Sequence, residues 1–384
     1  MRHLIASTLL LAALEPAHAA ACGAFRRLAA PTQEGLCAGI VAEADAGLRM
    51  PRTVLWIGRE GDVEHLLVVD MGSWEPQQGR LLHVQVDGRG GGVRVAQLLG
   101  HLDRPHGLRR GPDGQVYLAE ATRVLRLEWK PGAARVVTQR AVDGLPAAGR
   151  HPLKELAFAP DGSLFIGGGA PSDDCADGRS VQGGLPQCPE MEGAQPQAAV
   201  YRARFDAAGR LAQLKVFARG LRNSMALAVH ASGTVLQAEN SMDAGSTERF
   251  PADEVNRLEE GAHYGWPGCV ERRKPLPGFD AAACERTQLP VLLMPAHAAP
   301  LHMEYSGKAL LVGWHGYRKA GQRIVRYAVD ARGVPKGRPV TLLGPWKLGA
   351  HRLGAPVGWG EDDRGQLWIA DDRNRMLLVL RRDE

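Results

Sequence analysis

The sequence has no long block of lysine and arginine, no C-x-x-C, and no late apolar stretch of membrane-spanning length. Without a basic block, a net charge of +5 has no nucleic-acid motif behind it. Without C-x-x-C, a zinc site or a redox dithiol has no support. Without a late apolar run, no integral membrane segment is expected once a leader is removed. Charged residues reach only 23% against 45% hydrophobic, which excludes a wholly disordered chain. What the chain has instead is 47 glycines and 25 prolines, the composition of a fold rich in turns.

The first residues read as a secretory leader. Arg2 and His3 precede an apolar run from Leu4 to Leu14, followed by Pro16 and the small-residue signal Ala17-His18-Ala19. We expect a signal peptide over 1–19 and a periplasmic or secreted mature protein. An N-terminal extension over 20–50 follows, carrying Cys22 and Cys37. The other cysteines are Cys175, Cys188, Cys269 and Cys284, so all six lie beyond the leader in three sequence-local pairs. In an oxidising compartment they read as disulfides, and loop closure favours the local pairing.

One pattern organises residues 51–384. Leu108 to Leu118 and Leu156 to Ile166 each read as a short strand, a tight turn at Gly114 or Gly162, and a second strand. Looser copies centre on Gly233, Gly307 and Gly365, and a sixth hairpin surrounds Gly61. In the second strands, adjacent residues are both apolar (Val116-Tyr117, Leu164-Phe165, Val235-Leu236), so both sheet faces are buried. Repeated antiparallel sheets covered on both faces predict an all-β, six-bladed β-propeller of four-stranded blades. A two-layer sandwich is the alternative, and it would expose one face of each sheet. Uneven spacing places long insertions at 170–198 and 241–296.

The repeat also places chemistry. Aligned on the turn glycines, the end opposite the turn holds Asp103, His151, Arg222, Ala296 and Gly354. The returning strands reach that end at Glu120, Gly168, Glu239, Gly313 and Asp371. His151, Arg222 and Glu239 should therefore share the face where propellers bind ligands. Arg222 paired with a carboxylate as a structural cap, and His151 as a satisfied loop histidine, are the bland alternatives.

Several segments together carry a resemblance. They are His151-Pro152-Leu153-Lys154-Glu155-Leu156, Gly220-Leu221-Arg222-Asn223, Gln237-Ala238-Glu239-Asn240, Asp253-Glu254-Val255-Asn256, and Gly261-Ala262-His263-Tyr264-Gly265-Trp266-Pro267. In this order they resemble the soluble quinoprotein sugar dehydrogenases, a family of glucose, aldose and sorbosone dehydrogenases that use pyrroloquinoline quinone (PQQ). The resemblance implies a six-bladed propeller that oxidises an aldose sugar or a related aldehyde, with hydride passing to PQQ. It implies His151 as general base and Arg222 as the group facing the quinone oxygen. Asn223 and Asn240 would be polar partners of the cofactor. Ca²⁺ would be held by the backbone carbonyls of Ser241 and Met242, because a hard cation needs oxygens and not particular side chains. The family surrounds the PQQ carboxylates with cations from its last two blades. Here Ala355-Pro356 replaces an Arg-Pro, so Arg352 and Lys319 are the expected substitutes, with His315 and Arg318 also near. The Asp253-Glu254 pair has two readings, a further ligand set for the metal or a satisfied loop-to-strand junction, and we favour the junction. The electron acceptor is not readable.

Two rivals stand beside this reading. A calcium-dependent lactonase would need converging carboxylates, for which Glu120, Glu239 and Asp371 are the available set. A non-catalytic binding propeller would leave His151 incidental.

Overall fold

The computed structural model describes residues 21–349 and 352–383, so the leader expected over 1–19 lies outside the described residues. Six antiparallel sheets follow one another along the chain. Blade 1 runs Pro51–Glu60, Val63–Asp70, Gly79–Asp87 and Val93–Leu102. Blade 2 extends from Leu108–Arg110 to Val137–Val142, blade 3 from Leu156–Phe158 to Leu211–Arg219, and blade 4 from Ser224–Val229 to Leu292–Met294. Blade 5 extends from Pro300–Ser306 to Pro335–Leu343. Blade 6 holds Pro356–Glu361, Leu367–Asp371 and Met376–Arg382, and its next strand is Leu36–Ala42 from the N-terminal segment. Within the segment expected as an N-terminal extension over 20–50, the strands Ala21–Cys22, Phe25–Arg27 and Leu36–Ala42 join this last sheet. The first strand of every blade touches the first strand of the next, and Pro356–Glu361 touches Pro51–Glu60. That contact closes the ring.

The turns follow the glycine count. Gly61, Gly114, Gly162, Gly233, Gly307 and Gly365 each join the first and second strands of one blade, at φ between 54° and 85°. Residues with a Cβ rarely adopt that backbone, which is why glycine recurs there. Every residue of Val116–Ala119, Leu164–Gly168, Val235–Glu239 and Leu367–Asp371 is buried. Apolar layers fill the gaps between blades, as where Ala226, Leu236 and Val255 of blade 4 meet Met303, Val312 and Tyr327 of blade 5. Met71, Leu153, Met225, Leu301 and Val357, from five blades, form a separate buried apolar cluster.

All three local cysteine pairs are bridged: Cys22–Cys37, Cys175–Cys188 and Cys269–Cys284. The first pins the N-terminal hairpin beside blade 6, and the others staple the two long insertions. Among the described residues no helix is long and apolar enough to cross a membrane.

Candidate active site

At the end of the ring away from the glycine turns, a cavity of about 600 Å³ opens. That volume lies within the range of small-molecule and cofactor sites. Leu153, Met225 and Leu301 of the apolar cluster line it. The other lining residues come from the starts of first strands and the segments leading into them, from the loops after second strands, and, with Asp253, from the start of the third strand of blade 4.

One wall belongs to blades 3 and 4. His151, just before blade 3, is partly buried and its Nδ1 lies 2.7 Å from the Ala170 carbonyl. Nδ1 therefore donates, which leaves the lone pair on Nε2. The Ala170 N–H in turn donates to the Arg222 carbonyl at 2.7 Å, so a backbone relay fixes the spacing of the two side chains. Gly169 makes room for them. A Cβ there would stand 2.3 Å from the His151 Cβ and 3.3 Å from Asn223 Oδ1. Burial, and then the Arg222 charge, lowers His151 to about 4, so the imidazole is neutral near pH 7.

Arg222 is 4% exposed and almost saturated. Its Nε donates to Asp173 Oδ1 at 2.7 Å, Nη1 to the Asn240 carbonyl at 2.9 Å, and Nη2 to Asp243 Oδ2 at 3.1 Å. Nη2 also sits 2.5 Å from Asp173 Oδ1, which leaves one Nη1 hydrogen unclaimed among the described residues. Asp173 also accepts the Asp243 and Ala244 N–H groups at 3.1 and 2.7 Å. Burial works to raise this carboxyl, but Arg222 and those N–H groups outweigh it and hold it below the usual range. Trp266 Nε1 donates to the Asp173 carbonyl at 2.9 Å, which ties the Tyr264-Gly265-Trp266-Pro267 segment to the site.

The facing wall belongs to blades 5, 6 and 1. Arg52 is buried, donates from Nε to His106 Nδ1 at 3.2 Å, and pairs through Nη1 with Asp372. His315 Nε2 lies 3.0 Å from Asp372 Oδ1. Burial would raise Asp372, yet His315 and Arg52 hold it well below the carboxylate range. Arg373 reaches the Leu353 and Gly354 carbonyls through Nη1, while its buried Nη2 has no partner. Asn223 Oδ1 and Asn240 Oδ1 are also buried and unpartnered. Arg52, Arg150, Arg222, Arg318 and Arg373 line the cavity against Asp243, Asp253 and Asp372, so cations are in excess.

A second, much smaller cavity of about 20 Å³ is lined in part by Glu239, Ser241, Met242 and Glu254. It has room for one ion or water. Burial pushes Glu239 up to about 7, and burial together with the Glu239 charge pushes Glu254 to about 8. Ser241 N–H donates to Asp253 Oδ1 at 2.8 Å. Asp253, read from sequence as a junction residue, lines the main cavity and is raised by burial to about 7. Among the described residues, the set of three ligating side chains that converges is Cys175, Cys188 and Glu190, and both sulfurs are spent in a disulfide.

The structure brings His151, Arg222, Asn223, Asn240 and Ser241 to one cavity, with Met242 at the small cavity beside it. Lys319 and Arg352 are exposed and do not line the cavity. His315 and Arg318, the other candidates from that region, do line it, and the cations not anticipated from sequence are Arg52, Arg150 and Arg373. Asp173, which neutralises Arg222, was not singled out from sequence because it sits in an insertion with no repeat to align. Glu120, Glu239 and Asp371, the set a lactonase would need, do not converge. Glu120 is held by Arg123 and the Asp103 N–H, Glu239 by the Asn223 N–H and Gln237, and Asp371 by Asn374 and Trp346.

No curated protein matches this sequence significantly. Among solved structures, the chain is similar to a family AA12 carbohydrate-active enzyme from Trichoderma reesei, at 19% identity and TM-score 0.73, over 93% of this chain and 98% of that one. It is similar to the PQQ domain of pyranose dehydrogenase from Coprinopsis cinerea, in holo form, at 19% identity and TM-score 0.71, over 92% and 97%. A PQQ-bound aldose sugar dehydrogenase from Streptomyces coelicolor is similar at 17% identity and TM-score 0.59, over 92% and 99%. At such identities the likeness is one of fold. A family model described as TrAA12-like matches residues 31–383, nearly the whole described chain, and on that match the protein belongs to the TrAA12-like family.

Proposed function

We propose that the protein is a PQQ-dependent oxidoreductase that oxidises an aldose sugar or a related aldehyde, with His151 as general base. The observation that carries this is the pairing of two unlike walls. A neutral imidazole with a free Nε2 stands on one, and an arginine with an unclaimed Nη2 stands on the other. Family membership and the PQQ-bound neighbours support the same reading.

The donor set suits a planar, polyanionic cofactor. Arg373 Nη2 and the excess of arginine would engage its carboxylates, while the Leu153 and Met225 side chains offer apolar contact. Bound there, PQQ supplies a two-electron acceptor. His151 Nε2 takes the proton of the substrate hydroxyl, and the Ala170 carbonyl steadies the imidazolium through Nδ1. Arg222 keeps one Nη1 hydrogen for a developing negative charge, and Asp173 fixes its plane. Glu239, Glu254 and the carbonyls of Ser241 and Met242 would hold Ca²⁺ at the small cavity, since oxygen ligands and buried carboxylates suit that ion. The three disulfides and the leader-like first residues support export to an oxidising compartment.

The test is reconstitution of the full chain with PQQ and Ca²⁺, followed by absorbance, then addition of aldoses and aldehydes with an artificial electron acceptor. Saturable uptake and sugar-dependent bleaching are expected. Absence of uptake at micromolar PQQ would falsify the cofactor assignment.

A further inference from the structure

Two features at the cavity mouth are not used by this chemistry. Trp74 and Tyr317 are 54% and 69% exposed, and no other Trp, Tyr or Phe side chain among the described residues is exposed. Both line the same cavity. Scattered exposed hydrophobics are ordinary, and Val137, Val181, Leu211, Leu289 and Val340 lie away from this site. Two exposed aromatic rings at one functional mouth are a different matter, because they leave large apolar faces wet where a ligand enters.

Topology puts them there. Trp74 follows the second strand of blade 1, and Tyr317 follows the second strand of blade 5, with blade 6 between them. Both loops are braced. Near Trp74, Gly72 N–H donates to Asp70 Oδ1 at 3.1 Å, Ser73 N–H to the Met71 carbonyl at 2.8 Å, and Glu75 N–H to Ser73 Oγ at 3.1 Å. Beside Tyr317, Gln322 Nε2 donates to the Gly316 and Arg318 carbonyls at 2.9 and 2.7 Å. Arg373 Cζ stands 4.1 Å from the centroid of the Tyr317 ring, which fixes one of its faces. These are rings held in place.

The chemistry that recognises such rings is a saccharide face. The axial C–H groups of a pyranose form an apolar patch with positive edges, which packs on the negative π face of Trp or Tyr. A cavity of about 600 Å³ lies in the middle of the range of small-molecule and cofactor sites. With a cofactor and one reacting ring inside, a neighbouring ring would meet the two exposed aromatics that line the opening. We propose that Trp74 and Tyr317 form a stacking platform for the second glycosyl unit, which makes the preferred substrate a disaccharide or longer saccharide. The reducing-end ring enters the cavity and the neighbouring ring lies on the platform. This rests on the sugar-oxidising reading above.

Calorimetric titration of the full chain, with and without PQQ, tests the platform with glucose, cellobiose and maltose as probes. At least one disaccharide should bind about tenfold more tightly than glucose. Trp74→Ala should weaken that disaccharide by about threefold to tenfold while glucose affinity and PQQ uptake stay unchanged. Tyr317→Phe, which keeps the ring, should retain the preference. Equal affinity for glucose and both disaccharides in the native protein overturns the proposal. So does a Trp74→Ala protein that weakens glucose and disaccharide alike, or a Tyr317→Phe protein that loses the preference. Failure of PQQ uptake with the disaccharide preference intact overturns the functional reading and leaves the platform standing.

Discussion

The two walls of the cavity are built on opposite principles. On blades 3 and 4 the charged groups are spent, and what is left over is acceptor oxygen, Asn223 Oδ1 and Asn240 Oδ1. Arg222 is surrounded by Asp173, Asp243 and the Asn240 carbonyl, and His151 is anchored at Nδ1. On blades 5, 6 and 1, charge is held but less fully used, with Arg373 Nη2 buried and unpartnered. A wall whose charges are paired is rigid and leaves a few acceptors free, among them the His151 lone pair that the proposed chemistry uses. A wall with unclaimed donors waits for something to bind. The difference separates chemistry from affinity, and mutation can test that separation wall by wall.

The largest effect should come from the proposed base. His151→Ala should lower kcat by about 10²–10⁴-fold with PQQ affinity nearly intact, measured by steady-state kinetics beside an absorbance titration. An equal loss of PQQ binding would show that the walls are not separable. Next is Asp173→Asn, which leaves Arg222 buried and short of a charge partner. Breaking a buried pair this way costs about 3–5 kcal/mol, so a clear fall in Tm should accompany the loss of turnover. On the facing wall, Arg373→Ala should raise the PQQ dissociation constant by about tenfold to a hundredfold, the worth of a hydrogen bond to a charged group. Its kcat at saturating PQQ should hardly move.

The acid limb of kcat/KM sharpens the comparison further. Burial and Arg222 depress His151 to about 4, with Arg150 adding to the effect and Asp173 opposing it. With His151 as the proposed base, activity should fall only as pH falls towards 4, and not near the ordinary imidazole value of 6.5. For stability, the unfolded chain takes up this proton near 6.5 and the folded one near 4. Folding is therefore favoured less as pH drops through that window. An acid limb near 6.5 would mean an imidazole more solvated than its setting indicates. The smallest effect belongs to the exposed cations: Lys319→Ala and Arg352→Ala should leave PQQ affinity within measurement error.

How far the site could be read before folding depended on register. His151 and Arg222 stand at one aligned position ahead of their blades, so counting back from Gly162 and Gly233 found both. The same count in blade 1 lands on Met50 and misses Arg52. Bulges at Pro51/Thr53 and Trp56/Gly58 insert extra residues into that hairpin and shift its count. Asp372 and Arg373 follow the aligned Asp371 directly, so their end of the propeller was legible, but the direction of their side chains was not. Among Arg318, Lys319 and Arg352, nothing in the sequence separates a cation that turns inward from one that turns to water. Loop geometry makes that choice.

Local chemistry was enough for much of the architecture. Turn glycines at positive φ, second strands apolar on both faces and three short cysteine loops each depend on residues close in sequence, so six blades were legible and loop closure picked the local pairing out of 15 connectivities. The closing strand Leu36–Ala42 and the facing wall of Arg52, His315 and Arg373 depend on contacts between residues hundreds of positions apart. No local pattern encodes such contacts. They exist only once the ring has closed and blade 6 lies against blade 1, and that closure decided which charges meet across the cavity.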